Sequence, residues 1–257
     1  MAAAAGAALL TLFSGFGLGT LLLPVFAVLL GRLDVAIAAT AVVHLANNLF
    51  KLGLLARHAR WGVVARFGVA AAVASFAGAA LLVRISGWPV WVRYTLGERV
   101  CEITPLDVVI AALMLVFALL ELRPALRALA FPPRLLPLGG LLSGFFGGLS
   151  GHQGPLRSAF LIRCGLTKEQ FVGTGAVCAV IVDMVRLLVY GWLFHGRSFQ
   201  AVMDSGQAHL VWLGVFSAFA GSWLGTRWLK KITLESVQRM VGILLILMAL
   251  AIGGGLI

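Results

Sequence analysis

Eight long apolar runs follow one another along this chain, at residues 7–30, 34–56, 62–83, 105–122, 135–162, 170–194, 209–229 and 236–257. A helix needs about 20 apolar residues to cross a bilayer. Hydrocarbon satisfies no backbone N–H or C=O, so such runs must be helical unless protein, water or a ligand replaces the lost bonds. The chain therefore reads as an all-α polytopic membrane protein. Only 11% of its 257 residues are charged, against about 25% in a soluble domain. The net charge of +11 sits in short loops between the runs, where the cytoplasmic loops of membrane proteins collect Lys and Arg. No nucleic-acid-binding motif accompanies it, and no nucleic-acid partner is expected. Cys101, Cys164 and Cys178 show neither metal-ligand nor CxxC spacing, so no metal and no other cofactor is expected. The start, Met1-Ala-Ala-Ala-Ala, lacks the basic residues of a cleaved signal peptide and is assigned to the first membrane segment.

Two of the runs are interrupted. Ser143–Pro155 (Ser-Gly-Phe-Phe-Gly-Gly-Leu-Ser-Gly-His-Gln-Gly-Pro) carries five glycines, a proline and several hydrogen-bonding side chains. A shorter relative, Ser14–Pro24, lies in the first run. Glycine weakens a helix interior and proline removes a donor. Broken segments in corresponding halves of a membrane protein point to a transport site. The halves also match elsewhere: Ser14-Gly15-Phe16 with Ser143-Gly144-Phe145, Pro24 with Pro155, Phe76-Ala77-Gly78 with Phe219-Ala220-Gly221. Residues 170–194 repeat the polar-striped run at 34–56. Two further runs carry small residues at four-residue spacing, Ala71, Ser75 and Ala79 in one and Gly214, Ala218 and Ser222 in the other. That spacing lets helix backbones approach closely. The chain divides into a first membrane repeat at 1–122, a cytoplasmic linker at 123–134 and a second membrane repeat at 135–257.

Loop charge orients the repeats. Residues 57–66 (Arg57, Arg60, Arg66), the linker, the loop after the second interruption (Arg163, Lys168, Glu169) and residues 227–239 (Arg227, Lys230, Lys231, Glu235, Arg239) are net basic. The loop at Arg32–Asp34 and the loops at 84–107 and 195–208 are neutral. All basic loops fall on the cytoplasmic side if each interrupted segment enters and leaves on one side. Each half then has one re-entrant glycine-broken segment and three transmembrane helices, the two repeats are inverted, and both chain ends lie outside. A broken full crossing is the alternative.

Polar residues inside the runs are the candidate site. At 100° per residue, Thr40, His44, Asn47 and Lys51 share one helix face, with Asn48 beside them. Intramembrane Lys and His face a cavity or a partner; the structural alternatives are a Lys51 that snorkels, asparagines that tie helices together and a satisfied core His44. In 170–194, Thr174 and Cys178 lie on one face, and Asp183 and Arg186, three apart, are neighbours on another. They either pair structurally or couple and gate transport. Ser150, Gly151, His152, Gln153, Gly154 and Arg157 supply donors at the second interruption, and Gly17, Gly19 and Thr20 at the first. A helix restarting near Pro155 would present its free N–H groups and positive dipole end at membrane depth. With Arg157, Lys51 and Arg186 nearby, such a site suits an anion. The alternative is that the glycines serve helix packing alone. Asp183 is the one carboxylate this reading puts in the membrane core, which disfavours a multi-carboxylate cation path. There is no P-loop and no nucleophile–base–acid set. A transporter is therefore expected and not an enzyme, with an intramembrane enzyme built on His152 or His44 as the alternative.

Gly15-Phe16-Gly17-Leu18-Gly19-Thr20 with Pro24 is matched in the second half by Gly144-Phe145-Phe146-Gly147-Gly148-Leu149-Ser150-Gly151, Gly154-Pro155, Leu166-Thr167 and Phe171-Val172-Gly173-Thr174. With the eight apolar segments, these resemble the TauE/SafE family of sulfite exporters and related anion permeases. The resemblance implies a secondary transporter in the bacterial inner membrane, moving sulfite, thiosulfate, an organosulfonate or another small anion. The expected partners are that anion, the lipid bilayer and coupling protons, in a monomer or homodimer.

Overall fold

A computed structural model of the chain describes residues 18–127, 129–193, 208–228 and 234–256. Its helices are α1 (Leu18–Leu30), α2 (Leu33–Leu55), α3 (Trp61–Ser86), α4 (Pro105–Leu122), the short α5 (Pro124–Arg127), α6 (Leu136–Ser150), α7 (Gly154–Leu161), α8 (Lys168–Leu193), α9 (Ala208–Trp228) and α10 (Leu234–Gly253). Among the described residues, four helical stretches are long and apolar enough to cross a membrane: Leu33–His58, Trp61–Ser86, Pro105–Leu122 and Lys168–Trp192. The chain is a helical membrane protein, as its apolar runs require.

The second interruption breaks a helix. Leu136–Ser150 ends on Gly151, at φ 84, a left-handed conformation that closes a helix cheaply only without a Cβ. A new helix starts at Gly154–Pro155, where proline in the first turn gives up no intrahelical bond. α7 folds back along α6. The Phe131 amide donates to the Ala159 carbonyl at 3.0 Å, Phe160 lies against Gly139, and the Ser143 hydroxyl donates to the Gln153 carbonyl at 2.9 Å. The first interruption behaves differently over its described part. Gly19, Thr20 and Pro24 lie within one continuous helix, so Pro24 is interior where Pro155 opens a helix. The expected equivalence of the two prolines fails there; a membrane helix accommodates an interior proline when its neighbours satisfy the freed groups. Ser14–Gly17 falls outside the described residues, as does the neutral loop at 195–207.

α6 is held by backbone contact with α3. The α-carbons of Gly140, Gly144 and Gly148, one helical turn apart, face the carbonyls of Phe67, Ala71 and Ser75, and Gly78 faces the Phe145 carbonyl. A Cβ at any of these positions would strike backbone, which cannot swing aside. Without a hydrophobic drive between helices in lipid, such close packing is the main attraction.

Two helix pairs run antiparallel. On α2 and α8, His44 and Asn48 meet Asp183 while the Leu55 carbonyl lies on Gly173. On α4 and α10, Leu122 lies on Gly242 and Ala111 on Gly253. α9 packs on α2 through Gly214, which meets Val43, and on α1 through Phe26.

The segment at 84–105, read as loop, contains a β-hairpin. Strands β1 (Val92–Leu96) and β2 (Arg99–Ile103) pair antiparallel around a two-residue turn whose Gly97 sits at φ 63. The hairpin holds the end of α10, with the Tyr94 hydroxyl donating to the Gly254 carbonyl. Asp107, counted as a loop charge, is the third helical residue of α4 and completes a capping box with Thr104. Glu121, counted with the linker, is buried in the last turn of α4. Asp183 is thus not the sole carboxylate enclosed by the helices.

Candidate functional site

Asp183 sits in the middle of α8, and α2, the helix break and α8 itself bring four nitrogens to it. His44 Nδ1 lies 2.7 Å and Asn48 Nδ2 2.9 Å from Oδ2. Gln153 Nε2 lies 3.1 Å and Arg186 Nη2 2.9 Å from Oδ1. A carboxylate offers only lone pairs, so the His44 nitrogen facing it carries the proton. Asp183 and Arg186 are fully buried, and His44, Asn48 and Gln153 nearly so. The expected i,i+3 pairing of Asp183 with Arg186 is therefore real, and it is one edge of a larger network.

The network includes the break itself. Arg186 Nη1 donates to the Gly147 carbonyl at 3.3 Å, and the Tyr190 hydroxyl donates to the Gly148 carbonyl. These belong to the last turn of α6, where helix carbonyls run out of backbone partners; the Gly147 carbonyl also accepts from the Gly151 amide at 3.0 Å. A guanidinium there also suits the negative end of the helix dipole. Gly151 leaves room for this arginine: a Cβ at that position would stand 2.6 Å from Arg186 Nη1. Tyr190 was not among the sequence candidates, although its spacing from Asp183 and Arg186 places it on their face of α8.

Arg157 reaches the same cluster from α7. Its Nη1 donates to Gln153 Oε1 at 3.1 Å, and among the described residues no carboxylate bonds to it. Gln153 thus bridges Arg157 and Asp183. With its side chain so engaged, Gln153 makes no cap on the helix it precedes, and the first amides of α7 have no side-chain acceptor from it. Two buried arginines against one carboxylate leave an excess of one positive charge.

His152 turns the other way. Its Nδ1 lies 3.0 Å from the Ser150 hydroxyl, which itself donates to the Phe146 carbonyl, so His152 is the donor and Nε2 carries the lone pair. Its ring stacks on Phe117 of α4 at 5.1 Å, and Nε2 is buried without a partner.

The remaining candidates are peripheral. Asn47 is buried beside Asn48, and Lys51 is half-buried one turn further on the same face. The Thr174 hydroxyl accepts from the Arg60 amide at 3.0 Å and ties α8 to the start of α3. Cys178 is buried in the apolar cluster with Phe67, Phe160 and Val182. Gly19 and Thr20 lie in α1, and Gly17 lies outside the described residues.

Helices of membrane-spanning length around a broken helix, with a positively charged polar cluster sealed at the break, define a membrane protein with an internal site. The chain belongs to the sulfite exporter TauE/SafE family, whose model matches residues 1–252. This is a family of membrane transporters of the sulfite-exporter type. No curated protein and no solved structure matches the chain.

Proposed function

We propose that this chain is a secondary transporter that exports a small sulfur-containing anion, namely sulfite, thiosulfate or an organosulfonate, across the bacterial inner membrane. The observation that carries the reading is Arg157: a buried cation at the helix break whose side-chain acceptor is a glutamine, not a carboxylate. A buried charge left without a counter-ion is costly, and a bound oxyanion supplies the counter-ion. The uncapped start of α7 adds oriented amides.

Alternating access of two inverted repeats, 1–122 and 135–257 joined by the linker at 123–134, is the transport mechanism we infer. The contacts favour it. One sequence offset relates Ala111 to Gly242 and Leu122 to Gly253, and exchanging these equivalents turns one α4–α10 contact into the other. Asn48 and Asp183, separated by the same offset as the starts of α2 and α8, bond to each other. Equivalent helices that run antiparallel imply a two-fold axis perpendicular to them, hence in the membrane plane, which is the inverted arrangement. The α6–α7 hairpin is then the re-entrant segment, entering from the side of the basic loops. Protons are the coupling ion, with Asp183 or a histidine as carrier. Export of an anion also gains about 2.3 kcal/mol per charge per 100 mV of inside-negative potential.

The test is flux in proteoliposomes with sulfite, thiosulfate, sulfate and short sulfonates, with and without a pH gradient. Saturable flux of at least one sulfur anion, faster with the gradient, is expected. No flux of any of them refutes the reading. Cysteine labelling in intact cells, on a background without the three native cysteines, tests the topology: Arg93→Cys is expected to react from outside and Arg57→Cys only after permeabilisation. The opposite pattern refutes the orientation, and labelling of both from one side refutes the crossing between them.

A further inference from the structure

The four donors around Asp183 come from three elements: His44 and Asn48 from α2, Gln153 from the break, Arg186 from α8. They surround both oxygens of a planar anion at 2.7–3.1 Å, three by hydrogen bonds and Arg186 by an ion pair. That is the coordination a small oxyanion demands, and the protein's own carboxylate fills it. A second anion close by would meet that carboxylate in a sealed site. Two like charges about 4 Å apart repel by about 4 kcal/mol even at an effective dielectric constant of 20.

We propose that Asp183 is a tethered competitor of the transported anion: ionised, it occupies the donors that the anion uses, and protonated, it releases them. The proposal rests on the anion-transport reading of this site and states how proton and anion are linked there. One proton passes from solution onto Oδ2, the oxygen that does not face Arg186; the new O–H displaces the His44 and Asn48 N–H groups from that oxygen, and the carboxylate becomes a neutral acid. Gln153, Arg186 and the neighbouring Arg157 then turn to the incoming anion. The net charge of Arg157, Asp183 and Arg186 rises from one positive to two, which matches a dianion. On return, the anion leaves, the proton leaves Asp183 and the carboxylate closes the donors again. Anion binding is therefore proton uptake, and affinity rises as pH falls.

The other titratable groups around Asp183 and Arg157 are of the opposite sign to the carboxylate or neutral. α2 brings His44 and Lys51, α7 brings Arg157, the break brings His152, and α8 itself brings Arg186, Tyr190 and Cys178. α3 brings the Ser75 hydroxyl, which donates to the Val182 carbonyl at 3.1 Å, while its Arg66 and Arg84 are exposed. Among the described residues, no second carboxylate contacts the cluster to take the role of competitor.

The experiment uses thiosulfate, a dianion throughout pH 5–8, so that the probe itself does not titrate. Radiolabelled thiosulfate binding to the purified full chain in detergent is measured across that range. Wild-type affinity is expected to fall about tenfold per pH unit once Asp183 is ionised, the slope of a one-proton linkage. Asp183→Asn, neutral at every pH, is expected to bind at least about tenfold tighter than wild type at pH 7.5, a gain of about 1.4 kcal/mol, with a flat pH profile. In weakly buffered solution, thiosulfate added to wild-type protein is expected to take up about one proton per anion bound. That arm needs no variant, so a poorly folding Asp183→Asn leaves the test standing. Thiosulfate binding to wild type with no proton uptake and no pH dependence overturns the competitor while sparing the anion site. Weaker binding by a folded Asp183→Asn does the same. No binding of thiosulfate to wild type at any pH overturns the competitor of a dianion, and only the absence of flux for every sulfur anion overturns the transport reading as well.

Discussion

The two buried arginines should respond oppositely to loss of charge. Arg186→Gln breaks the 2.9 Å ion pair with Asp183 and the 3.3 Å bond to the Gly147 carbonyl. It leaves a buried carboxylate short of its cation, a change that costs about 3–5 kcal/mol. Arg157→Gln breaks one side-chain bond, to Gln153, worth about 1 kcal/mol. It also removes a buried charge with no bonded counter-ion, which offsets that loss. Both arginines face the incoming anion, and Arg157 is the one whose effect on affinity is read without a loss of stability. A charge-assisted hydrogen bond to a bound anion is worth about 1.5–3 kcal/mol, so Arg157→Gln should weaken anion binding by roughly 10- to 150-fold at 1.4 kcal/mol per tenfold. Thermal unfolding in detergent and radiolabelled thiosulfate binding at pH 6, read on the same preparations, separate the two effects. Arg157→Gln is expected to melt near wild type and bind poorly, and Arg186→Gln to melt far lower. Wild-type affinity in an Arg157→Gln protein that melts as low as Arg186→Gln would make Arg157 a structural ion and remove the observation on which the transport site rests.

Gly144→Ala and Gly148→Ala should each lower stability by about 1–3 kcal/mol through overpacking against α3, whereas Gly191→Ala, with open space at its α-carbon, should be neutral or stabilising; equal melting temperatures for all three would dissociate the glycine spacing from packing. Gly151→Ala combines a left-handed φ with a collision against Arg186 and should abolish anion binding. Gly97→Ala carries the φ penalty alone, about 1–2 kcal/mol, and should leave binding intact; loss of binding in both would place the hairpin in the site. Tyr190→Phe leaves the Gly148 carbonyl without its hydroxyl donor and should cost about 1–3 kcal/mol, seen as a lower melting temperature without a change in thiosulfate affinity; an unchanged melting temperature would mean that the bond contributes nothing.

Much of the architecture was legible because it is local. The apolar runs at 34–56, 62–83, 105–122 and 170–194 became helices long and apolar enough to span a bilayer, since nothing else satisfies that much backbone in hydrocarbon. The break was legible for the same reason: Gly151 and Pro155 each act on their own backbone. The hairpin at 92–103 was not legible because alternation over two five-residue strands is a weak signal. The burial of Glu121 was not legible because nothing local to a charge beside the basic linker shows which face of α4 is covered.

The chain by itself determined that it lies in a membrane, where its helices run and where one of them breaks. It also placed the chemistry: His44, Asn48, Gln153, Arg157, Asp183 and Arg186 all stand out as polar residues in apolar runs. Which of them meet was decided only by tertiary structure. His44 and Asp183 are 139 residues apart in sequence and in contact at 2.7 Å, while Thr174, equally prominent in sequence, spends its hydroxyl on the Arg60 amide. Helical periodicity fixes the face on which a side chain stands, but its partner depends on which helix packs against that face. In this protein that was decided by backbone contacts as small as Gly148 on Ser75.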